Sequence, residues 1–304
     1  MSLALIFSGQ GTQYPAMLPW LDLQPAAAAT LALMADVIGT DWRQRLVDPD
    51  WASRNQVAQP LLTGLSIAAW QTLADHLPEP AIIAGYSLGE LPAFCVAGVF
   101  DADMALHLAW QRAQLMDRCS PGQQGGLTGV TGVTAQQMAG ICDTHQLALA
   151  IRIAPDRCVL GGSHAALATA LPLLTAIGAH CTPLAVQVSS HTSQMRAAAE
   201  QFAALIEPMP FKPAQMLLVS NFSGAALNES KLKSALAGQI SAMVRWDDCM
   251  ETISERGVRC VLEIGPGSSL AKIWNSAYPE IPARSIDEFQ SPQGIVRWVT
   301  SALR

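Results

Sequence analysis

A serine lies between two glycines in Gly85-Tyr86-Ser87-Leu88-Gly89, where a predicted strand passes into a predicted helix. The two glycines let the chain turn sharply with no Cβ in the way, so the serine hydroxyl is exposed at the apex of the turn. Amides at the start of the next helix stabilise a developing oxyanion, at about 3–4 kcal/mol per donor. The pattern predicts a nucleophile for acyl transfer or ester hydrolysis, although a glycine-rich turn also matches it by chance.

A serine nucleophile needs a base, and the sequence contains six histidines. His191 is the favoured candidate, because it lies in a loop that follows a predicted strand. The carboxyl ends of strands are where α/β proteins build their sites. The other five lie in predicted helices or in a region of short elements, and they stay open as alternatives: His76, His107, His145, His164 and His180.

The order of these residues along the chain bears on the type of enzyme. In α/β-hydrolases the serine comes first, then an acid, then the histidine. No histidine follows His191 in the sequence, so an acidic partner would have to lie between Ser87 and His191. A separate group of short elements takes most of that interval, which disfavours a hydrolase triad without excluding it.

Charged residues near these two candidates suggest binding rather than further catalysis. Arg112 lies on the predicted helix after the one that follows Ser87. A guanidinium that faces a pocket binds a carboxylate through two hydrogen bonds, while a solvated arginine on a helix surface is the alternative. Glu90 is expected to be a helix N-terminal charge. Asp247 and Asp248 are expected to cap a later helix.

The composition excludes several classes of protein. Of the 304 residues, 50% are hydrophobic and 14% are charged, which excludes intrinsic disorder. The net charge of −6 disfavours nucleic-acid binding, and no apolar run reaches the length of a membrane helix. The start of the chain predicts a strand instead of a signal peptide. Seven scattered cysteines without a CxxC pair indicate reduced thiols in a cytoplasmic protein and no zinc site.

Short apolar segments alternate with helical ones, which predicts an α/β protein with a mostly parallel sheet. Leu3–Ser8 predicts the first strand. Pro60 is expected to begin a helix that extends to about Leu77, and a further helix is expected at Leu88–Gly98. The run at residues 120–126 has the composition of a linker. After it, the order β-α-β-β-α-β predicts a ferredoxin-like unit. We therefore expect a large domain at residues 1–122 and 187–304, and a small inserted domain at residues 123–186.

Seven short motifs resemble those of the malonyl-CoA:acyl-carrier-protein transacylases and of the acyltransferase domains of fatty acid and polyketide synthases. They are Phe7–Gln13, Gln59-Pro60, Gly85–Glu90, Arg112 with Met116, Ser190-His191 with Met195, Gln239 through Trp246, and Glu263–Gly267. Each motif alone is weakly specific, but their order over nearly the whole chain is highly specific. The resemblance implies an α/β-hydrolase-like large domain with an inserted ferredoxin-like small domain.

The resemblance also implies a role for each matching residue. Ser87 is the acylated nucleophile, and His191 is its general base, oriented by the backbone carbonyl of Gln239. The backbone N–H groups of Gln10 and Leu88 form the oxyanion hole. The residues implied for substrate binding are Arg112, which takes the free carboxylate of a malonyl group, Gln59 and Met116.

The activity implied by the family is transfer of malonyl from malonyl-CoA to the thiol of an acyl carrier protein. It needs no cofactor or metal, and it involves neither nucleic acid nor membrane. Two departures lie in the segment Ile153–Arg157, which lacks the family's asparagine and has Arg157 where the family has glutamine, and both concern the region that faces the acyl donor or carrier. A further departure is Tyr86, where the family has histidine. Within the family, the chain looks most like the ε subunits of bacterial malonate decarboxylases. The alternatives are a transacylase of fatty acid or polyketide synthesis, a serine thioesterase, and a non-catalytic acyl-binding subunit.

Overall fold

The computed structural model describes residues 2–120 and 125–304, and the strands of these residues form two sheets. The strands are β1 (Leu3–Phe7), β2 (Ile82–Gly85), β3 (Gly125–Thr131), β4 (Ala148–Ala154), β5 (Arg157–Ser163), β6 (His180–Pro183), β7 (Leu217–Val219), β8 (Val244–Arg245), β9 (Cys260–Ile264) and β10 (Ala283–Ser285). The helices are α1 (Ala28–Ile38), α2 (Trp42–Arg45), α3 (Pro49–Ala52), α4 (Asn55–Leu73), α5 (Glu90–Val96), α6 (Ala102–Arg118), α7 (Ala135–His145), α8 (His164–Ala176), α9 (Arg196–Ile206), α10 (Leu232–Gly238), α11 (Trp246–Ser254), α12 (Ser269–Ala277) and α13 (Pro292–Ala302).

The first sheet is parallel, with the strand order β10-β9-β1-β2-β7. All five residues of β1 are buried, as expected for a parallel strand covered on both faces. Its side chains alternate between two apolar clusters, with Leu5 and Phe7 in one and Ala4 and Ile6 in the other. The predicted first strand is confirmed, and it ends one residue earlier than expected.

The second sheet has the order β6-β3-β5-β4-β8. Its elements β3, α7, β4, β5, α8 and β6 follow one another in the predicted order. β6 pairs with β3, β3 with β5 and β5 with β4, and all three pairings are antiparallel. One face carries Val130 and Leu160 and packs against α7 and α8. The other face carries Leu127 and Val159 and shares an apolar cluster with the parallel sheet.

A fifth strand of this sheet comes from much later in the chain. β8 pairs parallel with β4, Ile151 opposite Val244 and Arg152 opposite Arg245. The sequence did not indicate this strand. The predicted linker at 120–126 falls largely on residues 121–124, which lie outside the described residues.

The helix predicted to begin at Pro60 is longer at its start than expected. α4 begins at Asn55 and ends at Leu73, so Pro60 lies inside it, and the predicted start was wrong. A proline at an interior position removes a hydrogen bond from the carbonyl four residues earlier. The helix tolerates this loss because nearly its whole surface is buried. Among the described residues, none of the helices combines the length and the apolar content that crossing a bilayer requires.

Candidate active site

Ser87 lies at a sharp turn between β2 and α5. Its φ is 55°, a left-handed value that is rare for a residue with a side chain. A Cβ on Gly85 would collide with the backbone of Gly89, and a Cβ on Gly89 would collide with the carbonyl of Phe7. The glycine pattern thus reflects real crowding. The helix predicted at Leu88–Gly98 is divided, because a 3₁₀ turn at Ser87–Gly89 precedes α5.

His191 contacts the serine directly. The Ser87 hydroxyl and Nε2 of His191 are 2.6 Å apart, and Nδ1 of His191 is 2.6 Å from the carbonyl oxygen of Gln239. A carbonyl oxygen only accepts, so Nδ1 carries the proton and donates it. Nε2 is then the acceptor for the Ser87 hydroxyl. His191 itself has a φ of 63°, so both partners of this contact have left-handed backbones.

The imidazole lies in surroundings that disfavour its charged form. Burial lowers the pKa of His191 from 6.5 to about 3; the positive charge of Arg112 contributes, while the bond to Gln239 opposes the shift. A neutral imidazole can accept a proton, so His191 has the form that a general base requires. Of the other histidines, His180 lines a wider neighbouring cleft rather than the cavity around Ser87.

Arg112 is buried beside the same cavity, which excludes the alternative of a solvated arginine on the helix surface. Its Nη1 donates to Oε1 of Gln59 at 2.9 Å, and Nε2 of Gln59 lies 3.6 Å from the sulfur of Met116. Nε and Nη2 of Arg112 have no partner within residues 2–120 and 125–304. Burial lowers the pKa of Arg112 to about 10, against the influence of Glu90. The group stays charged at neutral pH with two buried donors free for an anion.

Two neighbouring spaces with shared lining residues surround these side chains. The cavity at Ser87 measures about 50 Å³, and the neighbouring cleft between the turn after β1 and the second sheet measures about 280 Å³. Gln10, Tyr86 and Leu184 line both. The Tyr86 ring packs edge-on against Trp246, with the ring centroids 5.1 Å apart. Tyr86 therefore reaches the site and lies at the junction of the two spaces.

The two residues implied for the oxyanion hole come from two different turns. Leu88 follows Ser87 in the 3₁₀ turn, and Gln10 lies in the turn after β1. The Gln10 side chain donates to Oδ1 of Asn55 at 2.8 Å, and Nδ2 of Asn55 donates to Asp117 at 2.6 Å. This relay fixes the Gln10 side chain, and the role of its amide stays a prediction.

Two residues of the site were missed or misjudged from the sequence. Asn221 is fully buried and contacts the turn that carries Ser87. Glu90 lies at the start of α5, as expected, but it is fully buried and accepts from the backbone N–H of Asn221 at 2.6 Å. Burial raises the pKa of Glu90 to about 8. The available signal was the position of Asn221 at the carboxyl end of a predicted strand.

The expectation that two aspartates cap a helix was also wrong. α11 begins at Trp246, so Asp247 and Asp248 lie in its first turn. Both carboxylates instead accept hydrogen bonds from the guanidinium of Arg152 in β4. They join the second sheet to the chain that follows β8.

The chain resembles known proteins over most of its length. A family model described as acyl transferase domain matches residues 4–292. The chain is 29% identical to the malonyl CoA-acyl carrier protein transacylase of Haemophilus influenzae, over 95% of this chain and 96% of that protein. It is 30% identical to the protein of that name from Bacillus subtilis, over 91% of this chain and 74% of that one. Among solved structures, a malonyl-transacylase in complex with its type II PKS acyl-carrier protein matches with a TM-score of 0.91 at 28% identity, covering 98% of this chain and 99% of that chain.

Proposed function

As a member of the acyl transferase domain family, the chain is an acyltransferase, and we propose that it moves a malonyl group from malonyl-CoA to the thiol of an acyl carrier protein. The relatives at about this level of identity carry that activity in their names. The observation that carries the proposal within this chain is the pair of unpartnered donors on buried Arg112, next to Ser87 and His191.

In the proposed reaction, Ser87 attacks the thioester. Nε2 of His191 takes the hydroxyl proton as Oγ of Ser87 bonds to the carbonyl carbon. The Nδ1–H bond to Gln239 stabilises the imidazolium that forms. The carbon–sulfur bond then breaks, the proton passes to the sulfur of CoA, and a malonyl ester remains on Ser87. The carrier thiol reverses these steps, with His191 again as base.

Arg112 selects the acyl group in this scheme. A malonyl carboxylate within reach of Nε and Nη2 makes charge-assisted bonds to donors that are otherwise buried and unsatisfied. An acetyl group leaves both donors unpaired, which a site of this kind rejects strongly. Gln59, itself held near Met116, fixes the guanidinium so that these two donors stay in place.

The larger cleft suits the arm of the thioester. Its lining leads from the half-buried Arg157 to Tyr86 and Gln10 beside the catalytic cavity. We propose that the pantetheine arm of CoA or of the carrier occupies this cleft. We also propose that residues 123–186 form a distinct small domain that covers Ser87 and limits hydrolysis of the ester. Leu127 and Ile151, from two strands of the second sheet, support this because they line the cavity at Ser87.

Two residues of this cleft bear on which carrier protein is the natural acceptor. Tyr86 and Arg157 depart from the family pattern and both line the space proposed for the arm. We therefore propose that the natural acceptor is the dedicated carrier subunit of a malonate decarboxylase, with a carrier of fatty acid or polyketide synthesis as the alternative. A cytoplasmic location and the lack of a cofactor stay predictions of the sequence.

The test begins without any carrier. Purified protein is mixed with malonyl-CoA or with acetyl-CoA, and intact and peptide mass spectra are taken over time. We expect a long-lived malonyl ester on the Ser87 peptide, absent with acetyl-CoA and absent in Ser87→Ala. Addition of each carrier in turn should discharge the ester, faster with the natural acceptor.

Other outcomes identify the alternatives. Release of CoA in a burst with no lasting ester would indicate a thioesterase. No ester and no CoA release would contradict the proposed donor. Discharge by a fatty-acid carrier but not by a malonate decarboxylase carrier would contradict the narrower proposal while leaving the transferase intact.

A further inference from the structure

The ladder between β2 and β7 ends just before the turn that carries Ser87. Its last backbone pair joins Ala84 to Val219. Beyond this point, β2 continues through Gly85 to the serine, while β7 gives way to a tight turn at residues 220–225. The backbone groups next to the nucleophile therefore have no strand partner on the β7 side, although Tyr86 still donates to the carbonyl of Phe7 in β1 at 2.9 Å.

The side chain of Asn221 takes the place of that strand. Its Oδ1 accepts from the N–H of Ser87 at 2.6 Å, and its Nδ2 donates to the carbonyl of Gly85. A side-chain amide has an acceptor oxygen and a donor nitrogen on one carbon, so it can bond to one N–H and one carbonyl of the backbone, as a neighbouring strand does. The two bonds hold the peptide groups on either side of Tyr86, directly before the left-handed backbone at Ser87.

Asn221 is itself held on both sides. Its N–H donates to Oε1 of Glu90 at 2.6 Å, and its carbonyl accepts from the N–H of Arg245 at 3.0 Å. Glu90 begins the helix that follows Ser87, and Arg245 belongs to β8. The segment before β8 contains Gln239, whose carbonyl accepts from His191. Asn221 therefore connects the turn of the nucleophile with the segment that orients the base.

We propose that Asn221 is a positioning residue for acyl transfer, because its side-chain amide fixes the peptide groups at Ser87 and thereby the direction of the hydroxyl and of the Leu88 amide. This proposal rests on the proposed function only in that acyl transfer is taken as the reaction of Ser87. A Ser87 that relaxes from its left-handed backbone moves its hydroxyl away from Nε2 of His191. Misplacement of reacting groups by about 1 Å costs about 100-fold in rate.

The test compares substitutions at two asparagines whose side chains each accept from a backbone N–H and donate to a backbone carbonyl. Asn275 donates from Nδ2 to the carbonyl of Ala283 and accepts from the N–H of Ala283, both at 2.9 Å, on the exposed side of α12. Asn221→Asp keeps the acceptor for Ser87 but loses the donor to Gly85, and Asn221→Ala loses both. Asn275→Asp and Asn275→Ala are the matched controls.

Two rates are measured on each folded variant. The first is covalent labelling of Ser87 by an alkyl phosphonofluoridate, in which Oγ bonds to phosphorus and fluoride leaves. The second is malonyl transfer from malonyl-CoA, with kcat and KM determined separately. Thermal midpoints record the loss of stability, and Ser87→Ala gives the background of the labelling reaction.

We expect both Asn221 variants to lose about 10- to 100-fold in labelling rate and in kcat, with KM changed by less than about threefold. The Asn275 variants should lose stability without loss of either rate. Because Asn221→Ala leaves buried groups unpaired and risks unfolding, Asn221→Asp is decisive if the alanine variant fails to fold. Glu90→Ala should share the kcat defect, and Glu90→Gln, which keeps an acceptor oxygen, should recover part of it.

Wild-type rates in folded Asn221→Asp would overturn the proposal. So would a change confined to KM, because that pattern belongs to substrate binding. If the wild type labels at Ser87 yet transfers no malonyl group, the proposed function fails, and the labelling rates alone still decide the role of Asn221.

Discussion

Arg112 and His191 line the same small cavity, and the charge of the guanidinium disfavours a second positive charge on the imidazole. In the proposed reaction, the carboxylate of the malonyl group offsets the charge of Arg112. The imidazole then accepts the Ser87 proton more readily than it does in the empty site. The residue that recognises the substrate therefore also strengthens the base when the correct substrate is present.

Removal of the guanidinium should reverse the choice of acyl group. We expect Arg112→Ala to lose kcat/KM for malonyl-CoA by about 100-fold or more, because the carboxylate then enters a cavity without a partner. Transfer of acetyl should fall little or rise. Arg118→Ala, at an exposed arginine of the same helix, is the control. Equal losses for malonyl-CoA and acetyl-CoA would contradict the selection role.

The pH dependence of Ser87 reactivity should show the state of its base. The pKa of His191 lies at about 3 instead of the ordinary 6.5, so the imidazole stays neutral as the pH falls through the usual range. Labelling of Ser87 by a neutral phosphonofluoridate should change little between about pH 5 and 7, whereas a base of ordinary pKa would lose roughly 20-fold. A loss centred near pH 6.5 would show that the shift is absent.

At the scale of elements, one segment serves both the base and the second sheet. The carbonyls of Gln239 and Ile240 accept from the imidazole and from the backbone N–H of His191. A few residues later, β8 pairs with β4, and Arg152 of β4 binds Asp247 and Asp248 at the start of α11. The position of the second sheet and the position of His191 are thus set by the same stretch of chain.

Loss of the Arg152 ion pairs should loosen the second sheet over the site. We expect Arg152→Gln to cost less than about 1 kcal/mol in unfolding free energy, since the pairs are partly solvated. The malonyl ester on Ser87 should hydrolyse faster without a carrier, because water reaches it more often. Arg284→Gln, which breaks a partly solvated pair with Glu288, is the control. Matching hydrolysis rates in the two variants would contradict this coupling.

The sequence predicted those features that reside in short local patterns. The glycines around Ser87 and the order of elements from β3 to β6 follow from turn chemistry and apolar periodicity, and the structure agrees with both. β8 has two residues, too few for a period of any kind. Asn221 was marked only by its position at the carboxyl end of a predicted strand. Its bonds are to residues more than a hundred positions away, which no local pattern indicates. Pro60 was misread because tertiary burial overrides the usual position of proline at a helix start.

At the scale of the whole molecule, two carboxyl groups are buried in the part of the chain that contains the parallel sheet. Burial raises the pKa of Glu90 to about 8 and that of Glu263 to about 7, although Glu263 accepts from the amides of Leu270 and Ala271. Both groups bind a proton more tightly in the folded chain than in the unfolded one. Their contribution to stability is therefore present at low pH and is lost as the pH rises from 4.5 towards these values.

Substitution of one of these carboxyls should change the pH dependence of stability. Relative to the wild type, Glu263→Gln should gain unfolding free energy as the pH rises from 5 to 7, by about 1–3 kcal/mol at about 1.4 kcal/mol per pKa unit. Urea denaturation at both pH values measures the difference, in which the contribution of His191 cancels. Glu280→Gln, at an exposed carboxylate, is the control. A constant difference between Glu263→Gln and wild type would rule out the raised pKa.

The second sheet takes its strands from two separate parts of the chain, and the design of hybrids between related acyltransferases must respect this. A cut at both ends of residues 125–183 separates β4 from β8, its neighbour on that side. The transplanted piece then has a strand, β4, with one unpaired edge. The host keeps a β8 without its partner strand, in the same segment as the carbonyl that orients its histidine. The unit that can be exchanged is therefore two stretches of chain, residues 125–183 and 239–248. Because the second stretch contains Gln239, a hybrid that takes its specificity from the insert also takes the carbonyl that orients His191.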